Sequence, residues 1–221
     1  EEVLYSAMEE YRVSWVIEQG LKARSVNLGI QPFTLVGATT KFGMLSAPLR
    51  DRFGSVYRLN FYSDSEMAEI LNRSTKILKI DSDNKGVKEI AIRSRKTPRI
   101  ANRLLRRVRD FSQVQSDGKI NASIVKKALN QLEVDNLGLD KIDVELLESL
   151  VKKFDGGPVG LQTLAASISE DPTTVEDVME PFLLNLGFIS RTNRGRVATN
   201  LAYQHLGIDI KDEPSQGTLL N

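Results

Sequence analysis

Apolar positions along this chain change their period twice, and each change marks a different kind of element. Val13, Trp15 and Ile17 alternate with Arg12, Ser14 and Glu18, interrupted by Val16, and beyond Gly20 the set Val26, Leu28 and Ile30 alternates again. The two runs predict a β-hairpin with its tip near Gln19 to Lys22. Phe33 to Ala38, FTLVGA, is instead a continuous apolar run of strand length between Pro32 and the polar Thr39-Thr40-Lys41. That is the pattern of a buried central strand that ends at a functional edge. A helix end before the hairpin and a short helix after the strand complete the segment that closes near Arg58.

From Ser63 to about Val134 the spacing is helical. Ser63 with Glu66 three residues on is a capping box, and Met67, Ile70, Leu71, Ile77 and Leu78 form the stripe behind it. Pro98 suits a first helical turn, and Ile100, Leu104, Leu105, Val108 and Phe111 share one face of the helix it starts. Asn121 caps a last helix that turns Ile124, Val125, Ala128, Leu129 and Leu132 inward. Three further helical stripes run from Leu139 to Leu186, and the turn Ser169-Glu170-Asp171-Pro172 separates the last two as in a helix-turn-helix. Phe188 to Thr192 and Val197 to Tyr203 then read as strands around the tip Asn193-Arg194-Gly195-Arg196, where Gly195 supplies the positive φ of a tight turn. A helix-turn-helix followed by a basic hairpin predicts a winged helix. The expected fold is mixed and mostly α: residues 1–62 as part of a larger α/β domain, 63–134 all-helical, 135–208 a winged helix, and 209–221 a tail too poor in apolar residues to fold.

Composition narrows the chemistry. The 221 residues are 41% hydrophobic and 27% charged, ordinary for globular protein, with no apolar run near membrane-spanning length and no signal-peptide pattern; a cytoplasmic location without membrane attachment is expected. With no cysteine and a single histidine, His205, disulfides, thiolate sites and histidine clusters are excluded, and no metal site is expected in these residues. The net charge of +1 carries no message by itself, but its distribution does.

Three arginine-bearing segments stand out. Thr39-Thr40 at a strand end can orient water at a γ-phosphate, and Arg52, in the following Pro48-Leu49-Arg50-Asp51-Arg52-Phe53-Gly54, can project across an interface as an arginine finger; surface capping and a local salt bridge with Asp51 are the alternative. Arg93 to Asp110 carries eight basic residues against one acid. Arg99, preset by Pro98, offers a guanidinium fork to phosphate, while Arg106, Arg107 and Arg109 lie elsewhere around the axis and suit a solvated or subunit-facing basic surface. In the hairpin, Arg191, Arg194 and Arg196 occur with no acid from Phe188 to Gly207, whereas the preceding helix carries Glu176, Asp177 and Glu180. The hairpin and not that helix is therefore expected to touch nucleic acid, through phosphates and with little base reading; a merely solubilising hairpin is the alternative.

LVGATT, SAPLRDRFG, KTPRIANRLLRRVRDF and the stretch from GLQTLAASISED to RTNRGRVAT resemble, in that order and over almost the whole chain to residue 208, the RuvB family of bacterial AAA+ motors. The resemblance implies a partial AAA+ α/β ATPase domain, a helical lid and a winged-helix head. It also implies ATP or ADP with Mg2+ as cofactors, a homohexameric ring, and action on Holliday-junction and duplex DNA with RuvA and RuvC in recombination, repair and the SOS response. By position it makes Thr40 the sensor-1 hydroxyl, Arg52 the finger that reaches a neighbouring subunit's ATP and Arg99 the sensor-2 arginine. It places Glu9, Glu10, Tyr11 and Tyr62 around the nucleotide and Arg191 and Arg196, with Arg194 between them, on DNA. Trp15, on the ribbon before sensor 1, is either a RuvA-docking group or a contact with the large domain. No GxxxxGK[ST] occurs, and no apolar strand ending in Asp-Glu precedes Glu1. The expectation is a piece that starts where the Walker B segment ends and does not hydrolyse ATP alone; the rival reading is a lid-plus-winged-helix DNA-binding protein without catalysis.

Overall fold

A computed structural model describes residues 2–16 and 25–209. The chain forms two compact units, Glu1–Asn60 and Phe61–Asn221. In the first, helix α1 (Glu2–Glu10) leads into β1 (Arg12–Val16), which pairs antiparallel with β2 (Ser25–Gly29) in the register Val13 to Leu28 and Trp15 to Val26. The alternation thus gave the hairpin; its tip, and the side chain of Trp15, lie outside the described residues. Helix α2 (Ala47–Asp51) starts at Ser46, whose hydroxyl accepts the Leu49 N–H, and Tyr5 Oη meets the same hydroxyl at 2.8 Å.

FTLVGA departs from expectation. The run carries no regular secondary structure and joins no ladder among the described residues, and Val36 is 85% exposed. A buried strand needs hydrogen-bonding partners on both edges and apolar cover on both faces, and the described strands of this unit pair only with each other. Tyr57 and Leu59 are likewise exposed.

The second unit holds two cores. Helices α3 (Asp64–Ile77), α4 (Asn84–Ile92), α5 (Pro98–Gln115) and α6 (Ala122–Gln131) bury Met67, Leu71, Ile90, Leu105, Val108 and Leu129 against one another. The capping box at Ser63 and Glu66, the first-turn Pro98 and the Asn121 cap all form. The hydrogen bonds from Ser63 hold the Glu66 carboxyl below the usual range. Two details correct the sequence reading. Ile77 is exposed, because it falls off the stripe of Met67, Leu71 and Thr75. A separate helix, α4, had not been distinguished; it is capped by Asp83, which accepts the Gly86 N–H at 2.6 Å.

The other core is a winged helix. Helix α7 (Lys141–Glu148) runs on into a wider turn at Ser149–Lys153 and packs with α8 (Leu161–Ser167). A third helical stretch is built from α9 (Pro172–Thr174), a wide turn at Val175–Met179 and α10 (Glu180–Asn185). Pro181, without an N–H and crowding the preceding turn, accounts for that widening. Strands β3 (Ile189–Thr192) and β4 (Gly195–Ala198) form the wing. The second strand ends at Ala198 and not at Tyr203: Thr199 donates through its N–H to Phe188 O, and helix α11 (Asn200–Leu206) follows, burying Ala202. Gly195 has φ +139°, and the Val159 backbone lies where its Cβ would be. Val159 and Arg196 exchange both backbone hydrogen bonds there, so glycine serves close approach as well as the turn.

Candidate nucleotide and nucleic-acid sites

In the wing ladder Arg191 stands directly opposite Arg196, which puts both side chains on one face. Under them lies Glu180, the first residue of α10 and fully buried. Arg191 donates Nε–H to Glu180 Oε2 at 2.7 Å and a second N–H, from Nη2, to the same oxygen. Arg196 donates from Nε to Oε1 and from Nη2 to Oε2, the latter at 3.3 Å. Glu176 Oε1 stands 3.8 Å from Arg191 Nη2 and 4.0 Å from Arg196 Nη2. Two guanidinium forks make a buried carboxylate tolerable where one unpaired would cost several kcal/mol, on the order of 3–5. Glu180, one of the helix carboxylates that set that helix apart from nucleic acid in the sequence, is thus the internal counter-ion of the wing. Arg191 stays 46% exposed, Arg196 is reduced to 14%, and Arg194 at the tip is exposed with no ion pair among the described residues.

Helix α5 presents a second cationic surface. Arg99, Asn102, Arg103, Arg106 and Arg107, with the paired Arg109 and Asp110, line an open groove of about 590 Å³. Spacings of four, three and one place Arg99, Arg103, Arg106 and Arg107 on one side, which corrects the view that Arg106 and Arg107 lie elsewhere around the axis. These four are exposed and make no ion pair among the described residues.

The same basic stretch hides a different function at its start. Arg93 and Arg95 are not solvated; they tie the helical core to the winged helix. Arg93 Nη2 donates to Asn136 Oδ1 at 2.8 Å while its other nitrogen meets Glu89. Arg95 gives Nε–H to Gly138 O at 2.9 Å, pairs with Asp140 at 2.8 Å and with Asp143, and stacks 4.9 Å from the Phe182 ring. Burial, then the neighbouring Asp140, pushes the Asp143 carboxyl up to about 6 against the opposing pull of Arg95. Arg95 and Lys96 both adopt φ +52°, and the contacts of Arg95 hold its own left-handed conformation. Sequence reasoning missed the junction because a run of arginines reads as surface.

In the first unit Arg52 is engaged. Its Nη2 is 2.6 Å from Glu9 Oε1, its Nη1 donates to Pro48 O at 2.7 Å, and its guanidinium lies 4.5 Å from the Tyr5 ring. The acid that meets it is Glu9 and not Asp51. Thr39 Oγ1 accepts the Lys41 N–H at 3.0 Å, and Thr40 is exposed. Glu10 is exposed, Tyr11 has φ +52° and meets the Phe33 ring edge-on at 6.5 Å, and Tyr62, in the second unit, is exposed. Among the described residues no three metal-ligating side chains cluster, and no helix is long and apolar enough to cross a membrane.

Comparison with known proteins follows the same division. Residues 1–59 match the Holliday junction DNA helicase RuvB P-loop domain, 62–135 the RuvB AAA lid domain and 136–207 the RuvB C-terminal winged helix domain. The Holliday junction branch migration complex subunit RuvB of Dehalococcoides mccartyi (strain CBDB1) is 55% identical over 213 residues, which are 96% of this chain and 61% of that protein. The structure of the Thermotoga maritima RuvB Holliday junction branch migration motor superposes with a TM-score of 0.79 at 43% identity, over 95% of this chain and 65% of that one. A single-substitution variant of the same motor reaches 0.81 over 95% and 66%. The chain therefore spans slightly less than two thirds of these relatives. With three domain descriptions of one family tiling it in order, and close relatives in both sequence and structure, the chain belongs to the RuvB family.

Proposed function

We propose that this chain supplies the finger, the sensors, the lid and the DNA-touching head of an ATP-driven motor subunit that moves duplex DNA through a Holliday junction in recombination and repair. The observation that carries the reading is the ordered succession of three RuvB domain matches ending in a wing whose arginines share one face. In this reading the subunit is cytoplasmic, assembles as a homohexameric ring, and works with RuvA and RuvC under SOS control.

The residues suit the phosphate side of a nucleotide. Arg99 offers an exposed guanidinium fork, Thr40 an exposed hydroxyl and Arg52 a cation that can neutralise charge developing on a transferred phosphoryl group. Glu9, Glu10, Tyr11 and Tyr62 are assigned to the nucleotide by the family resemblance. ATP with Mg2+, when bound, supplies the phosphoryl group and its charge neutralisation. The sequence contains no GxxxxGK[ST], so this chain alone is expected not to hydrolyse ATP. To act on a neighbour's ATP, Arg52 leaves Glu9. Arg191 and Arg194 meet DNA phosphates, as does whatever edge of Arg196 its burial leaves.

The test uses the full-length protein. Arg52→Ala is expected to abolish ATP hydrolysis while leaving nucleotide binding largely intact, and mixing it with a phosphate-loop variant restores part of the activity at mixed interfaces. Absence of complementation would assign Arg52 to its own subunit's site.

A further inference from the structure

We infer that Glu180 is a positioning residue of the wing, holding Arg191 and Arg196 side by side so that their outer N–H edges form one seat for a backbone phosphodiester, with Glu176 as the group the phosphate displaces. The inference rests on the wing being a DNA contact and goes beyond it by assigning the residue that builds the contact.

The geometry is specific. A guanidinium has five N–H groups, and both arginines spend Nε–H and one Nη2 hydrogen on Glu180, which leaves the outer Nη2 hydrogen and both Nη1 hydrogens of each for a ligand. Oε2 alone receives three of these donors, two from Arg191 and one from Arg196, so two like charges are held together by one carboxylate. Without it they would repel, and two long side chains would regain their rotamer freedom. The trio of two arginines and one buried glutamate carries +1, the complement of one phosphodiester. Glu176 touches the same Nη2 atoms at 3.8 and 4.0 Å, yet it is exposed and holds neither arginine closely. An anion with better geometry can replace it.

Simple electrostatics and positioning predict opposite signs. If Glu180 were only a negative charge near DNA, removing it would tighten binding. Positioning predicts that Glu180→Gln weakens duplex binding by about tenfold and lowers the slope of log K against log salt by about 1, the loss of about one phosphate contact. Glu176→Gln, by contrast, tightens it a few-fold. The measurement is a salt titration of duplex affinity in the full-length protein, with circular dichroism and melting on each variant. In an Arg191→Ala, Arg196→Ala background Glu180→Gln is expected to have no further effect; continued loss there would reveal a general defect of the fold and overturn the inference. If Glu180→Gln does not fold, Glu180→Asp, which keeps the charge and withdraws it by one methylene, is expected to weaken binding and reduce the slope in the same direction. Arg191→Ala and Arg194→Ala report on the underlying reading: no effect from either removes the wing from DNA altogether. Weakening by both, together with tighter binding by Glu180→Gln, leaves the wing on DNA and refutes the positioning role.

Discussion

Residues 2–60 and 61–209 treat apolar side chains in opposite ways. In the first segment Val36, Val56, Tyr57 and Leu59 are exposed, and Ala7 and Leu49 are the buried hydrophobic residues among those described. In the second, Leu71, Ile90, Leu105, Leu147, Leu150 and Leu183 are fully enclosed in two cores. Apolar content does not separate the segments; the supply of partners does. Each helix of the second segment turns its stripe toward another stripe nearby in sequence, while FTLVGA offers two apolar faces, of which that of Leu35 is half-covered and that of Val36 stays open. A run with strand character is a statement about what could be buried, and burial needs neighbours.

The junction of the two cores is where that comparison breaks most easily. Arg95→Ala is expected to destabilise the second unit by about 3 to 5 kcal/mol, since it strands the buried Asp143 carboxylate; denaturant unfolding monitored in both cores would show it, and a loss under 1 kcal/mol would make the junction incidental. Next in size is the contrast between cores and open face. Leu105→Ala is expected to cost about 2 to 5 kcal/mol as a cavity in a closed core, whereas Val36→Ala changes stability by about 0.5 kcal/mol or less. Comparable losses at both sites would mean that the open face is as closed as the cores.

A last effect is one of pH. The Asp143 carboxyl titrates near 6 in the folded chain against an ordinary 3.8, because burial opposes its charge. The folded state therefore binds the extra proton between these values, and stability falls as pH rises from about 4 to about 6, levelling off above. Asp143→Asn is expected to remove that decline from a series of unfolding curves across the window; an unchanged pH dependence would assign it to another group.

What the sequence determined by itself was local. Ser63 with Glu66, Asn121 with Ile124, Pro98 in a first turn and the alternation of β1 and β2 each depend on residues a few positions apart or on a simple period, so composition and spacing sufficed to place the helices, the hairpin and the winged helix. The limit showed in two places: α4 carried a cap at Asp83 but lay between two assigned stripes and received no element of its own, and the second wing strand was overrun because Thr199 begins a helix with no break in apolar content.

Tertiary structure alone decided which charges are free. Arg191 and Arg196 find Glu180 at separations of 11 and 16 residues, and Arg93 and Arg95 find Asn136 and Asp143 at 43 and 48, while Arg99, Arg103, Arg106 and Arg107 stay open to solvent. Before folding these arginines are alike, each a long hydrated cation. Only the fold brings a buried carboxylate beneath some and leaves water beside the others, because ion pairing is set by distance and burial and not by the identity of the residue.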